Sequence, residues 1–144
     1  QNYIPNLSVF ISQLEAELNF VLNVNIYISP SEAQAFLPHI DRHDTFILQI
    51  FGNKTWYIYD MPMELPDHRQ KSLPKVDFSK YTKENCSDVL EMNPGDTLYV
   101  PRGCTHCVVS NDSPSVHITF GMHPKKKFNL ILTIYRSKKI MLII

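Results

Sequence analysis

The stretch PHIDRHDTFILQIFGNKTWYIYD, residues 38–60, decides the reading of this chain. Two histidines and two aspartates fall within residues 39–44, at the head of a run dominated by Phe, Ile, Trp and Tyr. Charge beside a core is tolerated when it is paired, hydrogen-bonded or bound to a metal. The run that follows has strand composition: TFILQIF (45–51) and KTWYIYD (54–60) are rich in β-branched and aromatic residues. Gly52-Asn53 between them reads as a hairpin turn.

Outward from this stretch the pattern continues. DVLEM (88–92), TLYVP (97–101), HCVVS (106–110) and SVHITFG (115–121) are short strands, separated by the turn sequences NPGD, RGCT and NDSP. Upstream, NVNIYISP alternates and predicts a strand over residues 24–29, and SEAQAFLP (31–38) is a connector. Leu7, Phe10, Ile11, Leu14 and Leu18 recur at helical spacing. Residues 61–86 hold Pro62, Pro66 and Pro74 among many polar side chains and read as a long excursion. One early helix followed by about seven short antiparallel strands predicts a mostly β sandwich or barrel.

The chain has 144 residues, 44% hydrophobic and 19% charged, which excludes a disordered chain and fits one domain. Fourteen basic and 14 acidic side chains cancel, but unevenly. Residues 125–144 carry six basic residues (Lys125, Lys126, Lys127, Arg136, Lys138, Lys139) and no acid, so residues 1–124 have a net charge of −6. The expected division is therefore a folded domain over 1–124 and a basic tail over 125–144 that is peripheral, truncated or in contact with a second chain. Three cysteines, Cys86, Cys104 and Cys107, make no disulfide framework. There is no signal-peptide pattern and no run approaching the ~18 apolar residues of a membrane span, so the expected setting is intracellular, cytoplasmic or nuclear, without a membrane.

Residues two apart on a strand share a face, so His39 and Asp41 point together. An imidazole beside a carboxylate supplies two of the three ligands of a 2-His-1-carboxylate triad, which holds Fe(II) and leaves positions open. The third ligand should be a distant histidine. His106, following the tight Pro101-Arg102-Gly103 turn, is the best candidate. His43 and Asp44 are a poorer pair because neighbours on a strand face opposite ways; His43 fits a supporting or substrate-side role. Cys104 and Cys107 flank His106 as a CxxC, but a structural zinc site needs four ligands. Trp56, Tyr57, Tyr59 and Tyr99 are expected to pack the barrel wall, while His68 and His123 receive no role.

Two motifs carry a family resemblance. Gly95, Pro101, Gly103 and His106 are spaced as in the second motif of the cupin superfamily, departing only in a four-residue gap before Asn111 where three is usual. Asn25, Tyr27, Pro38, His39, Asp41, Asp44, Phe46, Ile47, Leu48, Gln49, Gly52, Lys54 and Trp56 resemble the pattern of JmjC-type 2-oxoglutarate oxygenases, within them the ribosomal-oxygenase group of protein histidyl and arginyl hydroxylases. Thr45 stands where that pattern usually has an apolar residue. The resemblance covers about residues 6–123.

What it implies is a cupin (double-stranded β-helix or jelly-roll) barrel with an N-terminal helix. His39, Asp41 and His106 would ligate Fe(II). Lys54 would pair with the far carboxylate of 2-oxoglutarate, with Tyr27, Asn25 and His117 around the same cosubstrate; read without the resemblance, Lys54 is an ordinary exposed hairpin lysine. The implied reaction consumes O2 and 2-oxoglutarate and hydroxylates a C–H bond. A protein or peptide, a ribosomal protein among them, is the expected substrate ahead of a small molecule, and a homodimer is expected from the group. Two alternatives stand beside this: a metal-binding or inactive cupin serving as a binding module, and a cupin enzyme using another metal.

Overall fold

The computed structural model describes residues 4–62, 66 and 76–122. The chain opens with helix α1 (Pro5–Leu18). Proline suits the first helical turn, where its missing N–H has no helical partner. Asn19, with φ 55°, closes the helix in the left-handed conformation. Among the described residues eight strands follow: β1 (Leu22–Ser29), β2 (His39–Ile40), β3 (Asp44–Phe51), β4 (Lys54–Ile58), β5 (Asp88–Met92), β6 (Thr97–Val100), β7 (Thr105–Ser110) and β8 (Ser115–Met122). The strand expected over 24–29 begins two residues earlier.

All pairings are antiparallel, in two four-stranded sheets of order β1-β8-β3-β6 and β2-β7-β4-β5. That order is the jelly roll of the cupin fold, produced when successive strands alternate between two facing sheets. The excursion is the exception, since β4 and β5 pair with each other.

Alternation along each strand assigns the faces. On β3, Thr45, Ile47 and Gln49 are buried between the sheets, and Ile47 joins Trp56, Leu90, Met92, Leu98 and Val100 in the inter-sheet core. The outer face of the first sheet packs under α1, where Leu7, Ile11, Leu14 and Leu18 meet Leu22, Tyr99, Phe120 and Met122. Of the expected wall aromatics, Trp56, Tyr59 and Tyr99 are buried and Tyr57 is half-buried.

The hairpin expected at Gly52-Asn53 is a corner instead. β3 belongs to the first sheet and β4 to the second, and they do not pair. In a two-residue hairpin Phe51 and Lys54 would be partners on one face. Phe51 is 59% exposed while Lys54 is 2% exposed, so the chain must cross between sheets here. Gly52 takes φ 60°, and the buried Gln49 amide stitches the corner, donating to the carbonyls of Phe51 and Gly52 at 2.9 Å each.

Of the excursion, residues 63–65 and 67–75 lie outside the described residues, as does the tail from 123 onward, with His68 and His123. Its later part forms two short 3-10 turns, Phe78–Lys80 and Lys83–Asn85, and is anchored where the Tyr81 hydroxyl donates to Asp60 Oδ1 at 2.6 Å. Cys104 and Cys107 are buried strand-side residues, and all three cysteines are free.

Candidate metal centre and its cavity

The two-residue strand β2 has one evident consequence. Its register sets His39 opposite His106 on β7, with ring centroids 4.5 Å apart. Asp41 follows just past β2 and brings Oδ2 to 3.7 Å from His106 Nε2. One ligand atom from each of His39, Asp41 and His106 lies within 4.8 Å of the others. Bonds of ~2.0–2.2 Å to a shared ion put neighbouring donors about 3 Å apart, so modest side-chain rotations close this set on an ion.

The donor chemistry fits a metal as well. His39 Nδ1 lies 2.8 Å from the Leu37 carbonyl, and His106 Nδ1 lies 3.1 Å from the Cys104 carbonyl. A carbonyl oxygen only accepts, so each Nδ1 carries the proton and donates. Each Nε2 then keeps its lone pair for a ligand, as backbone acceptors arrange in metal sites. Burial pushes the pKa of His106 down, overcoming the nearby Asp41 charge, which keeps the imidazole neutral and able to ligate.

A cavity of about 270 Å³ opens beside these residues, near the small end of ligand-pocket sizes. The remaining sequence candidates, Asn25, Tyr27, Lys54 and His117, all line it. The reading of Lys54 as an exposed hairpin lysine is excluded by its burial. It opens β4 facing inward and donates from Nζ to Ser29 Oγ at 2.8 Å. Burial lowers its pKa from 10.5 to about 8. Tyr27 and His117 are cross-strand partners with stacked rings, 4.9 Å between centroids. Asn25 shares the inward face of β1 with Tyr27, and His43 also lines the cavity.

Asp44 does not join the triad. It is buried and accepts from the Tyr99 hydroxyl and the Arg102 backbone N–H, both at 3.1 Å. The crowded charges of the opening stretch thus find two kinds of relief: Asp41 converges with two imidazoles, and Asp44 is bonded to the turn before His106. Sequence reasoning missed Ser29, Phe36 and Thr119, which also line the cavity. Strand parity carried the signal for two of them, since Ser29 lies two residues after Tyr27 and Thr119 two after His117.

The family model described as the JmjC domain matches residues 1–130, and the chain belongs to that family. It is 31% identical over 128 residues to a bifunctional lysine-specific demethylase and histidyl-hydroxylase NO66 of Drosophila persimilis, a match covering 88% of this chain and 18% of the relative. To the Dictyostelium discoideum protein of the same name it is 36% identical over 123 residues, covering 83% of this chain and 23% of that protein. The chain thus spans less than a quarter of the length of these relatives. Among solved structures, the Escherichia coli ribosomal oxygenase YcfD in complex with cobalt and 2-oxoglutarate superposes with a TM-score of 0.57 at 20% identity, over 89% of this chain and 33% of that one. A further YcfD structure gives 0.59 over 89% of this chain and 35% of its own length, also at 20% identity. These structural likenesses establish the shared cupin fold. Among the described residues, no helix is long and apolar enough to cross a membrane.

Proposed function

We propose that this domain is an Fe(II)- and 2-oxoglutarate-dependent oxygenase that hydroxylates a C–H bond on a protein side chain. The observation that carries the reading is the convergence of His39, Asp41 and His106, with both imidazoles turned to offer Nε2, in a cavity that also holds one buried lysine. His39, Asp41 and His106 would hold the iron. When bound, iron and 2-oxoglutarate supply the oxidising chemistry: with O2, the keto acid is converted to succinate and carbon dioxide while a substrate C–H becomes C–OH.

This chain's own residues orient and exclude. Lys54 offers a fixed cation to the far carboxylate of the dianionic cosubstrate, at low dielectric where such a pair is strong. Tyr27 and His117 form a stacked wall beside it, and Asn25 places an amide on the same face. Trp56, buried and with its ring 5.8 Å from that of His106 and 5.7 Å from that of His117, gives the same cavity an aromatic wall between the two histidines.

The relatives' names point to histidyl and lysyl side chains of proteins as the substrate class, ribosomal proteins among the candidates. The free cysteines and the oxygen-sensitive Fe(II) are consistent with a reducing, intracellular setting. Residues 1–124 are taken as the catalytic unit, because every proposed site residue lies between Asn25 and His117. The test is turnover with Fe(II) and 2-oxoglutarate, reading succinate, with mass spectrometry of candidate peptides for the gain of one oxygen. Metal binding without succinate would leave the domain a binding module.

A further inference from the structure

We infer that Asp44 is a positioning residue for the metal centre, acting through the turn that precedes His106; this rests on the proposed reading of His39, Asp41 and His106 as ligands. The ligands come from two chain segments, 39–41 and 106. The strands that join those segments are short, with β2 and β7 sharing only the pairs His39↔His106 and Ile40↔Thr105. Asp41 lies beyond that ladder and before β3, so strand pairing alone does not fix it.

Four contacts do. Asp44 Oδ1 accepts from the Tyr99 hydroxyl at 3.1 Å and from the Arg102 backbone N–H at 3.1 Å. Asp44 Oδ2 faces Arg102 Nη1 at 3.7 Å. Beside them the Gly103 N–H donates to the Asp41 carbonyl at 2.9 Å. Together these tie the segment bearing Asp41 to the Pro101-Arg102-Gly103 turn, three residues before His106. The Asp44 side chain is 4% exposed. A buried ion pair adds little to stability compared with an apolar replacement. What an apolar residue at 44 could not supply is direction: a hydrogen bond to a particular backbone N–H on the facing segment. The donor atoms lie within 4.8 Å of one another, with Asp41 Oδ2 and His106 Nε2 3.7 Å apart, and a pair at that distance must close further to grip an ion, so freedom between the two segments lowers affinity.

The test is titration of the metal-free protein with Co(II), read by visible absorption and calorimetry, without 2-oxoglutarate or turnover. The parent binds a single Co(II). Asp44→Leu, which keeps comparable volume and removes both acceptor oxygens, binds about 10–100-fold more weakly, as loss of supporting groups around metal ligands does, and shows an altered ligand-field spectrum. Leu7→Ala, a packing variant on α1 beside β1, at the opposite edge of the first sheet from β6 and the turn, loses thermal stability but keeps the parental affinity and spectrum. If Asp44→Leu cannot be purified folded, Asp44→Ala, which removes the same acceptors without added bulk, carries the test, with a loss of the same order expected. Parental affinity in the Asp44→Leu or Asp44→Ala variant overturns the inference, as does an equal loss in Leu7→Ala. Asp41→Ala in the same titration separates the two levels. If it binds like the parent, the ligand assignment itself falls. If it loses Co(II) while the Asp44→Leu or Asp44→Ala variant does not, only the positioning role falls.

Discussion

Lys54 Nζ lies 2.9 Å from His117 Nδ1, across the gap between the two sheets. A lysine ammonium only donates, so His117 Nδ1 accepts and its ring proton sits on Nε2. Burial and the adjacent Lys54 charge hold the pKa of His117 down at about 3, so the ring stays neutral through the working range. Two of the three ammonium protons are thus directed at Ser29 and His117. These are the contacts of the ammonium among the described residues, and in the proposed function the third proton would go to a cosubstrate carboxylate.

Lys54→Ala should therefore raise the 2-oxoglutarate concentration needed by at least about tenfold, since removing one partner of a desolvated charge pair costs roughly 2–5 kcal/mol. Co(II) affinity should change little, because Lys54 is not among the converging donors. Calorimetry of the Co(II)-loaded variant against the parent checks both. Equal cosubstrate affinity would remove Lys54 from the site.

The pH dependence follows from the same group. With the pKa of Lys54 lowered to about 8, the protein loses the required positive charge as pH rises through that value. Cosubstrate affinity should be flat below about pH 8 and fall above it, approaching tenfold per pH unit. Binding the dianion should draw in a proton in that range. Lys54→Arg, charged at every relevant pH, should abolish the decline. Stability runs the other way. Between about pH 8 and the ordinary value of 10.5 the unfolded lysine binds more protons than the folded one, so the Lys54 contribution makes the ligand-free fold more stable as pH rises through that window. Melting curves of the parent and Lys54→Met across that range give the sign.

Asp41→Ala should abolish both Co(II) binding and turnover while the barrel survives. The contact that tethers this residue to Gly103 uses the Asp41 backbone carbonyl, which the substitution keeps. Its side chain is 30% exposed and contributes nothing to the apolar clusters. A cooperative melt close to that of the parent is expected, and turnover surviving in the variant would reject the ligand role.

Most of this arrangement was legible because it is local. The α1 face, the strand alternation and the His39–Asp41 parity are short-range patterns, and the Pro101–His106 turn places its histidine within a few residues. The turn at Gly52 misled because a hairpin and a sheet-switching corner use the same residue chemistry. What separates them is the opposite burial of Phe51 and Lys54, which only the second sheet creates. The partner of Asp44 lies 58 residues downstream and that of Lys54 lies 63, beyond any periodicity. Which histidine nitrogen faces the site depends on the Leu37 and Cys104 carbonyls, whose directions no residue type encodes.

The corner at Gly52 gives the last prediction. At φ 60° a β-carbon is strained, and one built there would stand 2.1 Å from the Pro114 carbonyl oxygen and 3.1 Å from its carbon. These are backbone atoms held at the start of β8, so they cannot swing aside as a side chain would. Gly52→Ala should cost at least about 2 kcal/mol, from left-handed strain plus displacement of the 114–115 backbone. Gly95 is the internal control. It also has a positive φ, 99°, but nothing lies within 4 Å of a β-carbon there, so Gly95→Ala carries the backbone cost alone. Chemical denaturation of both variants should rank Gly52→Ala as clearly the less stable. Because Lys54 follows the corner by two residues, Gly52→Ala should also weaken 2-oxoglutarate binding more than Co(II) binding. If Gly95→Ala costs as much as Gly52→Ala, the close approach of the corner to Pro114 does not constrain the fold, and the positioning of Lys54 must come from its contacts with Ser29 and His117 alone.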